Sequence, residues 1–383
     1  MDKAFALLID ILKGEVCAKS SPLSPLSLDE AKELYLFAKR HDLAHIAGDA
    51  LCRFDLLPDE KAKAAFEKES FAALFRYERM TSELQALSSL FEEKKIPFLP
   101  LKGSVLREFY PNPWMRNSCD IDILVRPETL EDAKAHLLSK GYLFRGHGSH
   151  DMAFDSPRGV HIELHFDLIE EHVMENAARI LEDPWAHAAP VKEGSYRYAL
   201  SDPAFYFYHV AHMAKHYLIG GCGIRPLLDL WVMNHRMTFD ASAREALLKE
   251  GGLLTFHEAA RTLSEAWFGE GEMTPSTEKM EHFILSGGVY GTTENRVSVQ
   301  QARKGGKLRY AFSRIFLSYE IIKFHYPILQ KHKWLLPFCE VRRWCKLIFL
   351  GGARRSAREL QLNHAIEEDS LKNTKKHLKE LGL

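Results

Sequence analysis

Residues 1–95 carry their apolar positions at helical spacing. Phe5, Leu8, Ile9 and Leu12 fall at i, i+3, i+4 and i+7 and share one helix face. The break SSPLSPLS ends that pattern, and Ser27 followed by Glu30 has the spacing of a capping box that opens a second helix. A longer helical pattern covers 60–94, with Phe66, Phe71, Leu74, Phe75, Leu84 and Leu90 as its apolar positions. At Ile96 the period changes. The runs PFLPL (97–101) and IDILV (121–125) flank a helix expected at 104–109. A helical pattern over 128–140 then leads to GYLF, to AF (153–154) and to VHIELHFDL (160–168), which alternates with the period of a strand. Strand, helix, strand, helix and further strands predict a small mixed sheet with helices on one side. Helical patterns return over 203–218, 223–237, 242–268, 276–285 and 308–350, and the charged last stretch reads as a solvated terminal helix.

The chain is therefore of the α+β class, with four regions: N-terminal helical 1–95, an α/β core 96–172, helical 173–300 and basic C-terminal helical 301–383. A length of 383 residues with 46% apolar and 27% charged positions supports a sizeable core and excludes disorder. The net charge of −1 excludes a globally basic nucleic-acid binder. It conceals an asymmetry, because 301–360 holds fourteen Lys/Arg against three Asp/Glu, a local +11. Six scattered cysteines without a CxxC pair argue against a disulfide scaffold or zinc ribbon. No signal peptide is apparent in MDKAFALLIDILKGE, and no run reaches the ~18 apolar residues of a membrane span, so a cytoplasmic location is expected.

The chemistry concentrates in the α/β region. On a strand, Asp120 and Asp122 point to one side while Ile121, Ile123 and Val125 point to the other. Adjacent carboxylates repel, and a divalent cation with hard oxygen ligands removes that repulsion. On a later strand Glu163 shares a face with His161 and His165, with Asp167 as the substitute if the register differs. Three carboxylates on neighbouring strands can hold two ions for displacement at phosphorus. Gly103-Ser104, where a strand gives way to a helix, offers backbone N–H groups to a phosphate. Lys102 and Arg116 are candidate phosphate cations.

His209, His212 and His216 fall at i, i+3 and i+7, a face suited to lining a pocket, to helix packing or, with ligands from a second element, to zinc. Arg225 and Asp229 have the spacing of an intrahelical pair. His41-Asp42 lacks the upstream histidine that a metal phosphohydrolase needs, and the loop read at Ser286–Gly291 lacks the Lys-Ser/Thr of a P-loop. Between 310 and 344 aromatic residues are interleaved with the basic ones, a pattern compatible with RNA, with anionic lipid or with ordinary packing.

The order Gly103-Ser104, Asp120-x-Asp122 and a later acid resembles the nucleotidyltransferase superfamily that shares the DNA polymerase β-type palm fold. PLKGSVLREFYPNPWMRNSCDIDILV resembles a bacterial family of uncharacterised nucleotidyltransferases, and the likeness extends through His209-xx-His212-xxx-His216 and GIRPLLDL over roughly residues 30–330. The resemblance implies a palm-type core in which Gly103 and Ser104 hold phosphates. Asp120 and Asp122 bind Mg²⁺ or Mn²⁺, and Glu163 completes the metal site or acts as base. Lys102, Arg116, His212, His216 and Arg225 would complete the nucleotide pocket. The implied reaction moves a nucleoside monophosphate from a nucleoside triphosphate (NTP), such as ATP, to an unidentified acceptor, releasing pyrophosphate. A nucleotide-binding regulatory module of low turnover and an RNA-directed transferase are the alternatives, with nucleic acid not the favoured partner. Fifteen residues separate Ser104 from Asp120, more than is usual in the superfamily, and Pro111 and Pro113 in that insert suggest a loop that shapes the pocket.

Overall fold

A computed structural model describes residues 3–19, 22–169, 174–289, 291–349 and 353–383, so Ser20, Ser21 and Tyr290 of the segments above lie outside it. Helix α1 (Lys3–Glu15) buries the predicted face of Phe5, Leu8, Ile9 and Leu12. Ser27 caps α2 (Leu28–Arg40), and both halves of the capping box with Glu30 are present. Helices α3 (Ala44–Arg53) and α4 (Glu60–Glu93) follow. In α4, Phe66 and Leu90 are buried, but Phe71, Leu74 and Phe75 are exposed, contrary to a single apolar face. The reason is that α4 serves two neighbours. Phe66 joins the core shared with α3, while Met80, Leu87, Leu90 and Phe91 pack under the sheet, and the turns between are uncovered.

The sheet is built from β1 (Phe98–Pro100), β2 (Asp120–Val125), β3 (Leu143–His147), β4 (Asp151–Asp155) and β5 (His161–His165) in the order β1-β2-β5-β4-β3. Strands β2 and β5 are parallel, and the remaining pairs are antiparallel. The helix expected at 104–109 is a single turn, α5 (Gly103–Leu106), continued as a 3-10 turn. Helix α6 (Leu130–Ser139) and the C-terminal half of α4 cover one sheet face, where Ile121, Ile123, Val125, Ile162 and Leu164 are buried. The other face is not bare, as helices on one side alone would leave it. Leu99, Leu101 and Leu124 join the main core, which extends into the later helices.

After α7 (Glu175–Ile180), strands β6 (Ala188–Pro190) and β7 (Tyr198–Leu200) form a hairpin too short to leave a periodic signature. Helices α8 (Asp202–Ile219) and α9 (Arg225–Arg236) supply much of the main core. The pattern at 242–268 is two helices, α10 (Ala241–Glu250) and α11 (Leu254–Phe268), parted where Gly252 takes φ +69°. Ser286 and Gly287, read as loop, end α12 (Pro275–Gly287), and α13 (Thr293–Lys304) follows. The pattern at 308–350 breaks into α14 (Lys307–Ile315), α15 (Tyr319–His325), α16 (Ile328–Lys331) and α17 (Leu336–Phe349). Ile322, Leu329 and Cys339 form a small core of their own there. Beyond α18 (Ala353–Ala365), α19 (Glu368–Glu380) is not wholly solvated, because it buries His377 and Leu378 against the body. The Tyr217 hydroxyl lies 2.6 Å from His377 Nε2. Among the described residues, no helix is long and apolar enough to cross a membrane.

Candidate active site

The parallel pairing of β2 with β5 sets Asp120 opposite His161, Asp122 opposite Glu163 and Leu124 opposite His165. Alternation then turns Asp120, Asp122, Glu163 and His165 away from the α4/α6 core and into a cavity of about 390 Å³. The register places Glu163 beside Asp122. Asp167 follows the end of β5, and its backbone N–H donates to His150 O at 3.4 Å.

Asp122 is the buried centre of the cluster. Its Oδ1 accepts from Lys102 Nζ at 2.9 Å and lies 2.7 Å from His165 Nε2. His165 Nε2 is also 3.4 Å from Glu163 Oε2. Burial alone would raise the Asp122 pKa, but the charges of Lys102 and His165 hold it well below the usual carboxylate range. Lys102 moves the opposite way: burial opposes its charge, and Asp122 holds the ammonium above its ordinary value. Asp120 is pushed up by burial and by the Asp122 charge beside it. Glu163 is lowered, chiefly by its hydrogen bond with His165. Asp122, Glu163 and His165 offer ligand atoms within 4.8 Å of one another, and so do His150, Asp151 and His165. Either group can hold a metal ion, and the first combines two anionic oxygen donors with one imidazole.

Lys102 takes φ +45° immediately before α5. A non-glycine residue meets steric resistance in that region, and the consequence is an ammonium delivered directly onto Asp122. At Gly103 an added Cβ would lie 3.1 Å from both Cβ and Oγ of Ser118, so a larger residue requires Ser118 to move. Gly103 lines the cavity, whereas Ser104 is buried, is not part of the lining, and gives its N–H to Leu101 O at 3.1 Å.

The opposite wall comes from α8 and α9. His212 and His216 approach through their Nε2 atoms at 3.2 Å, and His209 Nε2 lies 3.1 Å from Pro226 O. Burial, then the nearby charge of Lys102, holds His212 well below its ordinary pKa, so the imidazole is neutral. Arg225 and Asp229 do not form the intrahelical pair that their spacing suggested. Arg225 Nη1 donates to Asp42 Oδ2 at 2.7 Å, and Arg116 Nε donates to Asp229 Oδ1 at 2.6 Å. Tyr110 donates to the same Asp229 oxygen at 2.7 Å. The Pro-containing insert thus reaches α9 through Tyr110 and Arg116, fixing one side of the cavity. Arg116 lines the cavity with its charge already matched.

Sequence reasoning placed the carboxylates but missed His165 and Asp42 as members of the site. His165 shows in the alternation of β5, two positions after Glu163. Asp42 carries no local signal, because its partner Arg225 is 183 positions away. Val289 of the glycine-rich segment also reaches the lining.

The parallel strands β2 and β5 thus turn carboxylates toward a cavity that Lys102, Arg116 and Arg225 also line. The chain belongs to the family described as uncharacterised nucleotidyltransferase, which matches residues 27–269 and so includes the cavity lining from Asp42 to Asp229. Comparison with curated proteins and with solved structures gives no match.

Proposed function

We propose that this transferase moves a nucleoside monophosphate from an NTP to an acceptor, with pyrophosphate released, and that it depends on Mg²⁺ or Mn²⁺. The observation that carries this reading is the pairing of Asp122 with Glu163 across parallel strands, on the cavity face, with Lys102 beside them. The donor set suits a hard divalent ion: Asp120, Asp122 and Glu163 supply oxygen, and the burial and the Asp122 charge that together raise Asp120 are what a cation would offset. An ion bound there would supply charge neutralisation for the triphosphate and for the oxygens that gain charge during transfer.

The chain's own residues do the rest. Lys102 and Arg225 bind the phosphate oxygens, and Gly103 lets them approach the backbone. The acceptor oxygen attacks the α-phosphorus, and the bond from that phosphorus to the bridging oxygen breaks, so pyrophosphate carries away the electron pair. Glu163, less buried than Asp122, takes the acceptor proton. Neutral His212, with His216 beside it, offers hydrogen bonds to the nucleoside, while Tyr110 and Arg116 hold the wall through Asp229.

A second reading, a nucleotide-binding module of low turnover, is favoured by one observation: Lys102 and His165 already occupy Asp122 Oδ1. Titration with Mg²⁺ and labelled NTPs, followed by pyrophosphate release with a panel of acceptors, separates the two. The enzyme reading expects binding and release that both disappear in Asp120→Ala/Asp122→Ala. Unchanged NTP and metal binding in that variant would refute the site, and tight binding without release across the panel would favour the module.

A further inference from the structure

Beyond the family-matched part of the chain, residues 307–349 carry both exposed cations and uncovered apolar side chains. Leu308 is 86% exposed, Trp334 69%, Phe338 68% and Phe349 82%. Single exposed apolar residues are ordinary, but contiguous patches mark interaction surfaces. Here the rings gather in two groups: Phe312 and Phe316 lie 4.7 Å apart and Phe316 and Trp344 5.3 Å, while Trp334 and Phe338 lie 6.4 Å apart. Along α17, Phe338, Val341 and Ile348 fall at i, i+3 and i+10 on one face, and all three are exposed. Arg342 and Lys346 are exposed beside that stripe, and the exposed Lys331 and Lys333 shortly precede Trp334.

We propose that this surface docks the protein onto an anionic phospholipid bilayer, with Trp334, Phe338 and Ile348 entering the acyl boundary and the neighbouring lysines and arginines meeting headgroup phosphates. Three observations select this occupant. The uncovered residues include the aliphatic Leu308, Ile328, Val341 and Ile348, which gain by leaving water for hydrocarbon, whereas stacking on nucleic-acid bases rewards rings alone. The stretch 301–360 carries +11, so a second copy presenting the same face would set positive charge against positive charge, while an anionic leaflet complements it. No described helix is long and apolar enough to span, but α17 is amphipathic and lies along a surface as interfacial helices do.

Flotation of the full chain with vesicles tests this. Vesicles of phosphatidylglycerol mixed equally with phosphatidylcholine are expected to carry the protein up the gradient, phosphatidylcholine alone is not, and added salt weakens the capture. Trp334→Ser/Phe338→Ser lowers partitioning roughly a hundredfold, from the lost apolar transfer. Lys331→Glu/Lys333→Glu lowers it at least about tenfold, from the reversed charge. Phe71→Ser, which removes an exposed ring on α4, leaves it unchanged, and circular dichroism establishes that all variants are folded. Equal capture on neutral vesicles, no capture on anionic ones, or equal loss in Phe71→Ser would overturn the proposal. So would sedimentation showing that Trp334→Ser/Phe338→Ser abolishes RNA binding or self-association while lipid capture persists.

Discussion

Around the central cavity, Asp122 and Asp229 are buried with counter-charges at hydrogen-bond distance, whereas residues 307–349 leave both cations and apolar side chains at the surface. The same residue types therefore have different consequences in the two places. A buried pair has lost its hydration, so removing one partner strands the other. An exposed cation or ring keeps its water until something covers it, and its removal leaves the fold nearly untouched.

The sharpest break of that comparison lies in the cavity. Asp122→Asn is expected to lower the rate of pyrophosphate release by about a thousandfold or more, because charge stabilisation at the transferring phosphate is lost. Steady-state assays measure this, and a change smaller than about tenfold would place the chemistry elsewhere. Asp229→Ala follows. It leaves Arg116 and the Tyr110 hydroxyl buried without their shared acceptor, and a loss of about 3–5 kcal/mol is expected in urea unfolding.

A third prediction concerns pH. His41 is fully buried, neither ring nitrogen has a partner among the described residues, and burial followed by the charge of Arg40 lowers its pKa to about 4. The unfolded chain takes up that proton near 6.5, the folded chain only near 4, so stability is complete above 6.5 and declines as pH falls toward 4. The loss approaches roughly 3 kcal/mol for this residue. Thermal unfolding across that window checks it, and His41→Phe, which keeps a ring beside Phe37, should flatten the slope. The smallest effect belongs to the other region. Phe338→Ser is expected to change stability by no more than about 0.5 kcal/mol, since the ring is already exposed. A large loss would mean that the C-terminal surface is packed as tightly as the cavity wall.

What was legible in the chain follows from the range of each interaction. Asp120, Asp122 and Glu163 were visible because strand alternation fixes which face each side chain takes, and β5 repeats the alternation of β2. The capping box at Ser27 was visible because it closes within three residues. Long-range partners were not. Spacing joined Arg225 to Asp229, but tertiary packing gives each a distant partner, Asp42 for one and Arg116 for the other. Phe71 and Phe75 share their periodicity with buried neighbours, and period alone does not tell which apolar turn another element will cover. The breaks within 242–268 and 308–350 had the same cause, since helical spacing can survive a turn that redirects the chain.

The unusual backbone at Lys102 has a mechanical consequence. Glycine would adopt φ +45° without resistance, so a lysine there stores on the order of 1–3 kcal/mol of conformational strain. The same residue forms the buried ion pair with Asp122, so unusual backbone and matched charge meet at one position. A ligand anion that drew the ammonium away from Asp122 would remove the ion pair that accompanies this conformation at the turn from β1 into α5.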